Sequence, residues 1–197
     1  INKNTIIRGY FQSEKYFYGQ PERLKSYVKL KDEYLNQQLV DDTTCVIYIR
    51  GGEYKRHKNL ILPKSYWLNA IENMKSLYGI SKFIGISDDD NYFKKILPDI
   101  DILHGGMEHD FAALFQCKYA ILANSSWGYF PSKLGVNKKC IIAPQHWGRF
   151  GNVFDRWASP CNLYSDWMWQ DYHGKLNNYD ECVKICSKTV LYYTSHY

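Results

Sequence analysis

Between residues 43 and 143 the chain alternates short apolar runs with longer stretches of helical periodicity. The first run, 44–50, reads TCVIYIR. Its unbroken β-branched, aromatic and cysteine content predicts a strand buried on both faces. It ends in Arg50, Gly51, Gly52 and Glu53, where the backbone can turn sharply and approach a ligand. From Pro63 to Tyr78 the residues Tyr66, Trp67, Ala70, Ile71, Met74 and Leu77 make one apolar face. That spacing predicts a helix, with Pro63 in its first turn. Further strands are predicted over 83–86 and 119–123, over 140–143 before Pro144, and weakly over 101–103. Further helices are predicted over 92–96 and 110–116, from Asn124 to Leu134, and over about 179–192. Upstream, Leu24, Tyr27, Val28 and Leu35 predict one or two amphipathic helices within 21–38. The residues from 144 to 178 read as aromatic and irregular. Alternation of this kind predicts βαβ units, hence an α/β, Rossmann-like parallel sheet. Three regions follow: an N-terminal helical segment at 1–42, a Rossmann-like domain at 43–150, and an aromatic tail with a terminal helix at 151–197 that packs back on the domain.

Right-handed crossovers place all the strand ends on one edge, and open α/β sheets bind their ligands there. Three of these ends carry polar clusters. Arg50 beside Gly51 and Gly52 suits a diphosphate, as a fork of N–H donors next to bare backbone; a solvated surface turn is the plainer alternative. Ser87, Asp88, Asp89 and Asp90 offer the hard oxygens that divalent ions take. Acids between a strand and a helix are also ordinary caps, and that role is favoured here. Asn124, Ser125 and Ser126 are expected to cap the next helix, and the same hydroxyls and amides can hold phosphate. Asp110, expected at the start of its helix, either meets the positive helix end or accepts hydrogen bonds from a base edge such as guanine N1 and N2. His104, His109 and His146 are dispersed, without metal-ligand spacing. GxGxxG, GxSxG and Walker lysine patterns are missing, which disfavours an ordinary dinucleotide site, an α/β-hydrolase and a P-loop enzyme.

Composition narrows this only a little. The 197 residues are 45% hydrophobic and 23% charged, enough for a packed core and against wholesale disorder. The net charge of +5 suits a phosphorylated ligand. No lysine or arginine block exceeds pairs such as Lys138-Lys139, so a nucleic-acid footprint is not expected. The 18 Tyr and 6 Trp suit a protein that handles sugars or bases. The 6 cysteines, at 45, 117, 140, 161, 182 and 186, are read as reduced thiols. That reading implies a reducing, cytoplasmic setting. No apolar run is long enough to span a membrane, so any membrane association would be peripheral, and no signal peptide is visible. The chain starts at Ile1 rather than Met and is read as a fragment or a trimmed chain.

Taken together and in order, the clusters resemble the α-1,2-fucosyltransferases and their relatives, the α-1,6- and protein O-fucosyltransferases. Gly9 to Phe17 is similar to the family's GYWQSEKYF. The family's His-x-Arg-Arg-Gly-Asp-Tyr strand end appears as Tyr48-Ile49-Arg50-Gly51-Gly52-Glu53-Tyr54. Its Ser-Asp-Asp appears as Ser87-Asp88-Asp89. A third motif runs through His109-Asp110-Phe111 and Gln116-Cys117-Lys118 to Asn124-Ser125-Ser126-Trp127-Gly128. IAPKKW appears as Ile142-Ala143-Pro144-Gln145-His146-Trp147. The family's histidine is therefore Tyr48 here and its second arginine is Gly51. Tyr129-Phe130 replaces a double tryptophan, and Pro131 replaces the glycine after it. The resemblance implies the nucleotide-sugar half of a GT-B fold, with the acceptor half reduced or missing. It implies inverting transfer of L-fucose from GDP-fucose to a glycan acceptor, α-1,2 in linkage, without a metal or other cofactor. Arg50 would stabilise the departing diphosphate as the catalytic residue. Tyr48, Arg50, Gly52, Ser87, Asp88, Asp110, Asn124, Ser125 and Ser126 would bind the donor, with Asp110 reading guanine. The alternative is a non-catalytic or degenerate GDP-sugar-binding domain of a larger glycan-building protein.

Overall fold

The computed structural model describes residues 21–135, 137–147, 163–171 and 173–196. The motif Gly9 to Phe17 and the stretch 148–162 lie outside them. Two short helices, α1 (Pro21–Tyr27) and α2 (Asp32–Leu35), precede the sheet. The predicted first strand is β1 (Thr44–Ile49), buried along its whole length. Its continuous apolar content is what a strand covered on both faces needs; each such side chain contributes about 1.5–3 kcal/mol when buried. A 3-10 turn, Gly52–Arg56, leads towards α3 (Lys64–Tyr78), with Pro63 just ahead of the helix and Gly79 closing it in a left-handed conformation. Then come β2 (Lys82–Ser87), α4 (Asp90–Ile96), α5 (Met107–Gln116), β3 (Tyr119–Leu122), α6 (Ser126–Leu134) and β4 (Cys140–Pro144). The chain ends in β5 (Met168–Gln170), β6 (Leu176–Asn177) and α7 (Tyr179–His196).

The strands form one sheet in the order β2-β1-β3-β4-β5-β6. All neighbours are parallel except β5 and β6, which pair antiparallel at the edge. The chain runs from β1 outward to β2, then crosses back to place β3 on the other flank of β1. That reversal puts a topological switch point between β1 and β3, where crevices open at the carboxyl ends of doubly wound sheets.

Three expectations need correction. The weak strand at 101–103 is a single parallel bridge, Gly85 to Ile102. The helix expected from Asp110 begins one turn earlier, at Met107, so Asp110 sits in its first turn rather than at its start. The tail is not irregular throughout, because β5 and β6 extend the sheet. Strands of three and two residues are too short to show a period of two. Aromatic packing and side-chain bonds hold them instead. The Tyr129 ring of α6 lies 5.2 Å from Trp167 and 6.2 Å from both Tyr164 and Trp169. Gln170 of β5 donates to the Tyr66 carbonyl at 2.8 Å and accepts from Asn73 of α3 at 3.0 Å.

Cys45, Cys117, Cys140 and Cys182 are buried free thiols, as expected of reduced cysteines used as small hydrophobes. Lys138 is half-buried beside them. It donates to the carbonyls of Leu114 and Cys117 at 2.5 and 2.7 Å, closing the carboxyl end of α5, and burial pushes its ammonium pKa down.

Candidate active site

A cavity of about 330 Å³ opens at the carboxyl ends of β1 and β2. Tyr48 and Arg50 line it from β1, and Ser87, Asp88 and Asp90 from the β2–α4 junction. The loop Leu103 to Gly106, with Met107 and Asp110 of α5, forms the opposite wall, and Trp127 of α6 closes the side. Pairing of Ile49 with Ser87 in the β1–β2 ladder brings the two strand ends side by side. The predicted convergence of strand ends therefore holds for the first two clusters.

Arg50 is held on three sides. Its Nη1 lies 3.0 Å from Asp88 Oδ2, and its Nη2 donates to Glu53 Oε1 at 3.1 Å. The guanidinium also lies over the Tyr54 ring, 5.6 Å from the centroid. Asp88 uses its other oxygen, Oδ1, to accept from the Gly51 N–H at 2.7 Å. Ser87 donates its hydroxyl to the Ile49 carbonyl at 2.8 Å and accepts from the Asp89 N–H, which locks the β2 exit to the β1 exit. Asp89 caps α4 by accepting from the Tyr92 N–H at 2.9 Å, and it also pairs with Lys55. The cap role favoured for the acidic run therefore belongs to Asp89, while Asp88 faces Arg50. Among the described residues, no group of three His, Cys, Asp or Glu side chains could hold a metal ion.

The glycines after Arg50 follow from this packing. A Cβ on Gly51 would lie 2.8 Å from Asp89 Cβ and 2.9 Å from the Tyr92 ring. Gly52 has φ +21, and a Cβ there would run into the Asp88 carboxylate. Neither position accepts a side chain without moving the acids behind it.

On the far wall, Asp110 faces the cavity from the first turn of α5. Its Oδ1 is buried without a hydrogen-bond partner. Burial, with Asp90 adding and His109 and His104 opposing, pushes its pKa up from 3.8 to about 6. Gly106 precedes α5 and supplies no side-chain cap.

The third cluster behaves differently. Ser125 occupies the N-cap position of α6, yet the expected side-chain cap is not formed. Its Oγ lies 3.1 Å from the Tyr48 hydroxyl in a buried hydrogen bond. Tyr48 also packs on Trp127, with centroids 5.1 Å apart, and burial pushes its phenol up to about 12. Asn124 is buried and donates its amide to the carbonyls of Leu60 and Trp147, pinning two loops to the end of β3. Ser126 is exposed, and neither it nor Asn124 lines the cavity. Gly52 does not line it either. Sequence reasoning gave no role to the cavity loop Leu103 to Gly106 or to Trp127. The one available signal was Gly105-Gly106 ahead of an acid-bearing helix, which repeats the pairing of glycines and acid seen at 51–53.

The model of glycosyl transferase family 11 matches residues 2–150. That span is about three quarters of the chain and includes every motif named above. The chain belongs to glycosyl transferase family 11. It is therefore a member of a fucosyltransferase family, whose chemistry requires a sugar donor and an acceptor. No curated protein matches the chain. In this family 11 chain, no helix among the described residues is long and apolar enough to cross a membrane.

Proposed function

We propose that this family 11 chain transfers L-fucose from GDP-fucose to a hydroxyl of a glycan, with inversion and in α-1,2 linkage. It would supply the nucleotide-sugar half of a GT-B architecture. One observation carries the reading. A single cavity holds an unpartnered carboxylate oxygen, Asp110 Oδ1, on one wall and an ordered guanidinium, Arg50, on the other. Guanine offers N1–H and N2–H to a carboxylate, and a diphosphate suits a guanidinium.

In this mechanism the acceptor hydroxyl oxygen bonds to C1 of fucose and gives up its proton to water as the bond from C1 to the β-phosphate oxygen breaks. Negative charge grows on the departing GDP. Arg50 stabilises it as a fixed cation that needs no reorganisation during the step. Tyr48 stands where the family has histidine. Its phenol keeps its proton at neutral pH, so it serves as a neutral donor or spacer rather than as a titrating base. No metal is needed in this scheme, because Arg50 carries the leaving-group charge.

Calorimetry with GDP and GDP-fucose, with release of fucose or transfer to glycans measured alongside, tests the proposal. GDP should bind in the presence of EDTA, and Arg50→Ala should weaken GDP far more than guanosine. Absence of GDP binding, or an Arg50→Ala variant that behaves as wild type, would overturn it. Tight GDP binding with no turnover of GDP-fucose would instead indicate a binding module.

A further inference from the structure

Arg50 is flanked by two carboxylates, and only one of them also grips the backbone. Glu53 is exposed, lies three residues away on the same turn, and makes one contact. Asp88 follows the end of the neighbouring strand, and its side chain is about a quarter exposed. It bonds Arg50 with one oxygen and the Gly51 N–H with the other. This bridge fixes the guanidinium relative to the backbone that carries it. It extends the β1–β2 ladder by one residue beyond the Ile49–Ser87 pair. The missing side chains at 51 and 52 are the space in which Asp88 and Asp89 sit.

We propose that Asp88 is a positioning residue: it holds the Arg50 guanidinium in one orientation for the β-phosphate of the donor. The inference rests on the GDP-sugar reading and assigns Asp88 no direct contact with the donor. Both carboxylate oxygens are committed to the protein, and the charge is matched at 3.0 Å by Arg50, so repulsion of an incoming phosphate is largely cancelled. Without Asp88 the guanidinium would fall to the exposed Glu53 and lose its fixed direction. Transition-state stabilisation depends on that direction.

The test combines arginine side-chain NMR with nucleotide binding, on wild type, Asp88→Asn, Arg50→Ala and the double variant. Asparagine keeps an acceptor for Gly51 and removes the charge facing Arg50. In the wild-type protein, free of nucleotide, the Arg50 Nη resonances should be resolved; in Asp88→Asn they should average. The preference for GDP over GMP should fall about tenfold in Asp88→Asn, and the double variant should match Arg50→Ala alone. Freely averaging Arg50 resonances in wild type would overturn the inference. So would an unchanged GDP preference in Asp88→Asn, or equal weakening of GDP and GMP, which is the mark of a merely structural acid. If wild type binds neither nucleotide, the donor reading fails, and the NMR comparison alone decides whether Asp88 orders Arg50.

Discussion

Replacing Asp110 by asparagine should make the protein more stable and abolish recognition of the base. The carboxyl sits in the first turn of α5 with one buried oxygen unpartnered, and its pKa is raised from 3.8 to about 6. A raised carboxyl pKa means that the folded state binds the proton more tightly than the unfolded chain. Above pH 6 both states are ionised there, and the fold bears the cost of a poorly solvated charge. As pH falls from about 6 to 3.8 that cost disappears, so this group alone makes the fold more stable in acid. A shift of two units corresponds to at most about 3 kcal/mol, and less for a half-buried group that solvent still screens. An asparagine at 110 must itself be desolvated, so the gain expected by urea denaturation at pH 7.5 is about 1–2 kcal/mol. Binding moves the opposite way. Two hydrogen bonds to an ionised carboxylate are lost, for about 3 kcal/mol, or roughly a hundredfold in affinity. Guanosine is the appropriate ligand, because it carries no titrating phosphate. If the ionised form binds, affinity should fall about tenfold between pH 7 and pH 5. Asp90, His104 and His109 face the same carboxyl. Asp90 adds to the rise in the Asp110 pKa, and His109 and His104 oppose it. Wild-type guanosine affinity that stays flat from pH 5 to 8, together with an Asp110→Asn variant that still binds, would refute the assignment of Asp110 to the base.

Gly51→Arg, which restores the family's second arginine in sequence, should not raise activity. Its Cβ would press on Asp89 and Tyr92, and even Gly51→Ala should cost about 1–3 kcal/mol by urea unfolding. Asn124→Ala removes two buried amide donations and leaves the Leu60 and Trp147 carbonyls without that donor. A loss of about 2–3 kcal/mol is expected, with faster hydrogen exchange confined to those loops. Tyr48→Phe and Ser125→Ala each remove one end of a buried hydrogen bond. A double-mutant cycle by chemical denaturation should return a coupling of about 1 kcal/mol.

The sheet was legible because β1, β3 and β4 are continuous apolar runs, which only a strand covered on both faces tolerates. The order of the strands was not, since it depends on crossovers that leave no local mark. β5 and β6 were hidden because packing of Trp167, Trp169 and Tyr164 on Tyr129 holds them, not their own periodicity. At the site, Arg50 was singled out from its place at a strand end, whereas Asp110 was tied to the donor only by the family resemblance; both line the cavity. The roles within the polar clusters were not readable. Asp88, Asp89 and Asp90 look alike in sequence, yet one grips Arg50, one caps α4 and one faces His104 at 3.8 Å. Asn124 and Ser125 have the composition of a phosphate-binding cap. Burial turned the first into a loop staple and the second into the partner of Tyr48.

The charge around the cavity raises a physical difficulty that the geometry itself resolves. Asp88, Asp90 and Asp110 line the cavity against a single arginine, which is a poor complement to a diphosphate on a simple count. The carboxylates do not act as full free charges, however. Asp88 is paired with Arg50 at contact distance, Asp90 has half its side chain in water, and burial raises the pKa of Asp110, so its ionised form is disfavoured until a donor arrives. A base edge carrying N–H groups is such a donor, and pairing with it would neutralise the local cost on the α5 wall. The phosphates would then lie towards the opposite wall, where Arg50 has unused N–H donors. A ligand with N–H donors at one end and anionic oxygens at the other thus fits this cavity better than an anion alone. Inorganic pyrophosphate should therefore bind far more weakly than GDP, although it presents the same diphosphate. If pyrophosphate bound as tightly as GDP, the base wall would contribute nothing, and the assignment of Asp110 would have to be abandoned.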